Sequence, residues 1–204
     1  MDSSDRASLS TVSKSHHSRR EFIEVLALSI PIGTLLACRS TGSQASEIDT
    51  VADTLVEVAE REPSLPGVKS ILSLRNELSG LTLTAADADL LTGALYLQIE
   101  RQLDGSAGRT TATAASLPRG RRRITKGDVR RALSQPLDTA SHGRDAMIRL
   151  LEETKRRAAT DPQFNSELSQ AQLAARPKKC LGDTPRWICI GMIAVVVIAV
   201  VLLL

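Results

Sequence analysis

Apolar residues recur along this chain at steps of three and four, with polar residues between them. Ile48, Val51, Ala52, Leu55, Val56 and Ala59 line one face of a first helix; Glu57, Glu60, Arg61 and Glu62 lie opposite, and Pro63 is the stop. Ser46 and Asp49 have the spacing of a capping box at its start. Pro66-Gly67 opens a second helix, with Val68, Ile71, Leu72 and Leu78 inward and Gly80 as terminator. Thr84 and Asp87 cap a third, whose stripe is Leu91, Ala94, Leu95 and Ile99 and which Asp104-Gly105 ends after Leu103. Thr125 and Asp128 cap a short fourth helix ending near Pro136. Ser141 begins a fifth containing Met147, Leu150, Leu151 and Ala158. Asp161-Pro162 starts a sixth with Phe164, Leu168, Ala171 and Ala175, closed by Pro177. No segment alternates with a period of two, so strands are not expected. The pattern predicts an all-α fold: a small helical domain of about six short helices in two groups, plus a C-terminal transmembrane helix.

That last helix is of a different kind. Trp187 to Leu204 is an unbroken apolar run without a charge. At about 1.5 Å per residue it is just long enough to cross hydrocarbon. Its many β-branched residues suit lipid, where the backbone must satisfy itself. Trp187 stands where an interfacial aromatic belongs, beside Arg176, Lys178, Lys179 and Arg186. Nothing else in the chain is expected to cover an all-round apolar surface, so the run reads as a membrane anchor.

At the other end, Ser18-Arg19-Arg20-Glu21-Phe22-Ile23 follows a polar, Ser-rich leader and precedes an apolar stretch from Val25 to Ala37. Pro31 and Gly33 interrupt that stretch, which is well short of the ~20 residues of a span. Arg19, Arg20 and Phe22 resemble a bacterial twin-arginine export signal. Leu35-Leu36-Ala37-Cys38 resembles a lipoprotein cleavage box, with Leu36 bulkier than usual and Cys38 the lipidation candidate. The resemblance implies a place outside the inner membrane, on the periplasmic or extracytoplasmic side. The two ends pull apart here, because a basic flank before a span biases its amino side toward the cytoplasm. A cytosolic, tail-anchored protein is therefore the alternative.

Five segments follow: 1–38 export signal with its lipoprotein-like box, 39–104 an acidic helical region, 105–120 a Ser/Thr/Ala/Gly-rich flexible linker, 121–186 a basic helical region, and 187–204 the anchor. Ser40 to Gly108 holds four Lys/Arg against eleven Asp/Glu, a net −7; Arg109 to Arg186 holds seventeen against eight, a net +9. Opposed halves imply either mutual packing or separate partners. Arg119, Arg121, Arg122 and Arg123, with Arg130 and Arg131, form a basic patch. It suits membrane lipid or an acidic protein partner, or is simply a solvated face. Nucleic acid is disfavoured, because aromatic residues are only 2% of the chain and stacking groups are lacking.

The chain offers little for catalysis. Its mature part has one histidine, His142, expected at the surface or as a cap. Cys180 and Cys189 are nine residues apart, fit no metal site, and are not expected to form a disulfide within the domain; in a cytosolic setting Cys180 would be open to palmitoylation. Asp87 and Asp89 are too close in sequence to face one another across a helix. No phosphate loop or nucleophile elbow is present in the sequence. No cofactor, metal or catalytic residue is assigned. Ile48 to Leu72, with Ala52-Asp53-Thr54-Leu55 and Pro66-Gly67-Val68, is similar to the small helical third subunits of membrane-bound, gluconate-type sugar-acid dehydrogenases. That resemblance implies a non-catalytic partner that helps export or hold a flavin subunit. It covers about 25 residues, lacks the family's downstream aromatics, and carries over no site residue. The function expected is a membrane-tethered helical interaction or scaffold protein, with an accessory subunit of an exported oxidoreductase as the alternative.

Export through a twin-arginine receptor requires guanidinium groups, which an ammonium does not replace. Arg19→Lys with Arg20→Lys is expected to leave the protein inside, as measured by cell fractionation; unchanged export would exclude that route.

Overall fold

The helices anticipated from the 3.6-residue pattern are present, but their order in space places the last one first. A computed structural model describes residues 41–109 and 123–204. It contains α1 (Thr41–Arg61), α2 (Pro66–Ser79), α3 (Ala85–Arg109), α4 (Lys126–Leu133), a 3-10 turn (Ala140–His142), α5 (Arg144–Thr160), α6 (Pro162–Ala174) and α7 (Arg186–Leu203), and no strand among the described residues. The expected export signal with Arg19, Arg20, Phe22 and Cys38, and the patch residues Arg119, Arg121 and Arg122, lie outside the described residues.

Local chemistry fixes most boundaries. The capping box of α4 is complete: Thr125 Oγ1 accepts from the Asp128 amide at 3.3 Å, and Asp128 Oδ2 accepts from the Thr125 amide at 3.1 Å. Asp161 Oδ1 accepts from the amides of Gln163 and Phe164, each at 3.0 Å, ahead of Pro162 at the start of α6. The Asp87 amide donates to Thr84 Oγ1 at 3.2 Å at the entry to α3.

Three boundaries differ from expectation: α5 begins at Arg144, with Ser141 in the 3-10 turn before it, and the other two concern α1 and α3. Helix α1 starts at Thr41, so Ser46 is internal and makes no cap; its carbonyl accepts from Thr50 Oγ1 at 2.8 Å. Helix α3 runs through Asp104-Gly105 to Arg109, taking in the first part of the anticipated linker. A glycine ends a helix by turning left-handed, and Gly182 is the one glycine among the described residues that does so. A right-handed Gly105 costs only about 1 kcal/mol, too little to stop a long helix.

Helix α7 is the centre of the bundle, touched by α1, α2, α3 and α4. Helix α3 lies between α7 on one side and α5 and α6 on the other, which is why seven consecutive residues, 91–97, are buried. The core is almost wholly aliphatic: Ile71, Leu74, Leu78, Leu91, Leu95, Ile188, Ile190 and Met192 are among its largest sealed side chains. Each contributes roughly 1.5–3 kcal/mol by leaving water.

The opposed charges of the two halves meet within one unit, residues 40–204. Arg130 pairs with Glu62 at 2.7 Å, Lys126 with Glu57 at 3.7 Å, Lys155 with Asp87 at 2.6 Å, Lys178 with Asp49 at 3.4 Å and Arg186 with Asp89 at 3.2 Å. Exposed pairs of this kind are worth roughly 0–1 kcal/mol each, so burial supplies the stability and the charges orient the halves.

The tightest crossing is between α2 and the end of α4. A methyl group on Gly67 would stand 2.6 Å from the Leu133 carbonyl oxygen and 2.8 Å from that of Gln135, both rigid backbone. The Leu137 amide closes the same junction by donating to Ser70 Oγ at 3.2 Å. Gly67→Ala is therefore expected to destabilise by about 1–3 kcal/mol, against the gain of about 0.5–1 kcal/mol that alanine normally brings to a helix. Gly105→Ala, which meets no described atom within 4 Å, is the control and should not destabilise. Urea midpoints of the two variants check the difference.

Candidate functional site: an apolar helix and its mouth

Trp187 to Val197 are buried without interruption, and Val200 is buried beyond them. The expectation that nothing in the chain could cover this run is thus corrected. The cover comes from the apolar faces of the amphipathic helices, which need a wholly apolar partner as much as α7 needs them. Gly191 brings α7 close to α2 and α3: from its would-be Cβ, Leu95 Cδ1 is at 3.6 Å and Leu78 Cδ1 at 4.0 Å. Ala52 and Leu55 of α1 line one small void together with Met192 and Ile193. The last turn leaves the bundle, with Leu202 74% and Leu204 48% exposed. The helix, at 18 residues, is long and apolar enough to cross a membrane, and about two-thirds of it is buried within the protein.

The mouth of α7 is built by the segment that links it to α6. Gly182, at φ 54°, makes the reversal that a side chain would strain. The Thr184 hydroxyl donates to the Leu181 carbonyl just beyond it. Cys180 and Cys189 are joined by a disulfide with Cα atoms 5.9 Å apart, contrary to the expectation of unpaired thiols. The turn at Gly182 folds the nine-residue separation back on itself, and Cys189, in the first turn of α7, faces the linker. Arg186 then ties the helix start to α3 through Asp89, and to α6 by donating to the Gln172 carbonyl at 3.3 Å. Beside it opens a cleft of about 420 Å³ between the α2–α3 connection, the start of α3 and Pro185–Trp187.

His142 is also not where it was expected. It is 1% exposed, on the connection between α4 and α5, and Nε2 has no hydrogen-bond partner. Its Nδ1 lies 2.9 Å from Ser141 Oγ. Burial lowers its pKa to about 4, with the Asp138 charge opposing weakly. The next residue, Gly143, sits against Glu77, whose Oε1 accepts from the Arg144 amide at 2.9 Å and so bridges α2 to the start of α5.

Of the basic patch, Arg123 donates to Ser46 Oγ at 2.7 Å, Arg130 pairs with Glu62, and Arg131 is exposed in the last turn of α4. Asp87 and Asp89 diverge to Lys155 and Arg186. The Asp87 carboxyl is held below its ordinary range by its hydrogen bond to Lys155, helped by Thr84. Among the described residues no three His, Cys, Asp or Glu side chains converge as a metal site. The arrangement is one of sequestration: a membrane-length apolar helix, closed at its mouth by a disulfide and an ion pair. No family model, curated protein or solved structure matches the chain.

The sequestered histidine gives a pH dependence of known sign. Its folded pKa is depressed, so the unfolded chain binds the extra proton between about pH 6.5 and about 4. Stability is full above pH 6.5 and falls by about 3 kcal/mol as pH drops through that window. Thermal melts from pH 7.5 to 4.5 should show the loss, and His142→Gln should flatten this part of the curve.

Proposed function

We propose that the protein is a membrane-tethered helical interaction protein on the outer side of a bacterial inner membrane, with no catalysis of its own. The observation that carries this reading is α7, apolar on every side and projecting an apolar tip from the bundle. Core duty alone does not require Leu202, Leu203 and Leu204 to be apolar, since all three are exposed.

Three features favour the outer side. The Arg19-Arg20-Phe22 signal is the first. The Cys180–Cys189 disulfide belongs to an oxidising compartment and is the second. The third removes the strongest argument for a cytosolic tail anchor. Lys178 and Arg186 of the basic flank are engaged by Asp49 and Asp89, so the cytoplasmic bias of that flank has less to act on while α7 is packed. A packed α7 also leaves membrane attachment to a lipid at Cys38, which would be redundant beside a spanning helix. Arg119, Arg121 and Arg122, with Arg123 and Arg131, then supply positive charge near the headgroups, worth about 1 kcal/mol per residue close to anionic lipid.

A reporter inserted between residues 110 and 116 tests the reading. A phosphatase that folds only outside the cytoplasm should be active there, and the fusion should fractionate with membranes. Cytoplasmic activity would overturn it in favour of the tail-anchored form. Removal of residues 187–204 should not yield a soluble domain; it takes away the centre of the core, and loss of helix content by circular dichroism is the expected result.

A further inference from the structure

The cleft at the mouth of α7 carries two opposite charges whose bonding capacity is only partly used. The Arg186 side chain is 35% exposed, and its Nη2 alone makes both contacts of the guanidinium, to Asp89 Oδ1 at 3.2 Å and to the Gln172 carbonyl at 3.3 Å. Among the described residues its Nε and Nη1 donate to nothing, and Asp89 Oδ2 accepts from nothing. The Asp89 side chain is 62% exposed and free to turn. Asp87, the other carboxylate at the start of α3, is taken by Lys155. Apolar surface completes the lining: Leu81 and Leu83 are half-buried rather than sealed, Pro185 is exposed, and Trp187 lies beside them.

We propose that this cleft binds a free apolar α-amino acid as its zwitterion, with the carboxylate on Arg186, the ammonium on Asp89 and the side chain against Leu81, Leu83, Pro185 and Trp187. The proposal goes beyond the reading of the protein as membrane-tethered and does not depend on it.

Charge selects the ligand. An anion that reaches for the unused N–H groups of Arg186 meets the Asp89 carboxylate, and a cation drawn to Asp89 meets the guanidinium. A molecule with both signs avoids both penalties and completes a ring of four alternating charges. The two groups of the cleft are 3.2 Å apart, so the ligand's own charges must stand close together. In an α-amino acid they sit on one carbon, whereas an ethanolamine phospholipid spaces them along a longer arm. Size agrees, because about 420 Å³ lies in the lower part of the range of roughly 300–1,000 Å³ for small-molecule sites. An exposed ion pair is worth little in water, so turning it toward a ligand costs little. The ligand's apolar side chain then shields the charges from water and strengthens each contact. The same shielding penalises an analogue that lacks one charge, since its partner in the cleft is left covered and unpaired.

Trp187, the only tryptophan of the chain, lines the cleft and reports its occupancy. Titration of the full chain with L-leucine should change its emission saturably, with a matching heat in calorimetry. Isocaproate, which is leucine without the ammonium, and isoamylamine, which lacks the carboxylate, should each bind about tenfold more weakly or worse. Glycine, without an apolar side chain, should bind as poorly. Asp89→Asn should weaken leucine about tenfold and remove its advantage over isocaproate, while helix content by circular dichroism stays unchanged. Equal binding of leucine and isocaproate by the unaltered chain would overturn the zwitterion. Binding of dihexanoylphosphatidylethanolamine without binding of leucine would overturn the amino-acid assignment and give the cleft to lipid. No saturable response to leucine would overturn the proposal outright. The ligand series uses the unaltered chain, so it decides even where Asp89→Asn disturbs the fold.

Discussion

Covering a helix that has no polar face is the constraint on which the rest of this structure depends. An ordinary amphipathic helix needs one neighbour, and its other side faces water. Helix α7 needs neighbours all round, and it obtains them from α1, α2, α3 and α4. The requirement runs both ways. With Tyr96 and Phe164 the only aromatic residues between residue 41 and Trp187, the bundle has few large side chains of its own, and α7 supplies the missing apolar volume. Close crossings at Gly67 and Gly93 follow from the same need, since short aliphatic side chains fill space only when backbones approach.

Charge plays a secondary part with a specific effect. The acidic first half and basic second half carry ion pairs at several points of their shared surface, and each pair is exposed enough to contribute little alone. What they do together is draw the acidic half onto the basic one, a general attraction rather than a set of strong individual contacts. Arg123 and Arg130, which read in the sequence as parts of a patch for some outside partner, remain exposed while bonding to Ser46 and Glu62.

Much of the helix layout was legible because it is written in local chemistry. Thr125 with Asp128, Asp161 with Pro162, and Pro66 after Pro63 act within a few residues of themselves, and each marks its boundary as expected. Ser46 and Gly105 misled for a complementary reason: both residues can end a helix, and whether they do depends on backbone angles that spacing does not encode. The burial of His142 and the pairing of Cys180 with Cys189 were not legible, since each depends on a fold-back of the chain. Gly182 between the two cysteines was the available clue. For α7 the membrane-length apolar helix was legible from composition and length. Its cover within the protein was not, because that depends on the summed apolar faces of four distant helices.

The position of α7 in chain order has a kinetic consequence. The helix at the centre of the core is the last of the seven to leave the ribosome. Until it emerges, α1 to α4 present apolar faces with nothing to close on, so folding cannot finish progressively from the amino end as it does in many domains. The closing contacts, α1 and α2 on α7, join segments more than a hundred residues apart, which makes the final step a slow, long-range search for a helical protein. Any holding factor that binds the emerging helices would therefore be displaced when α7 docks between them.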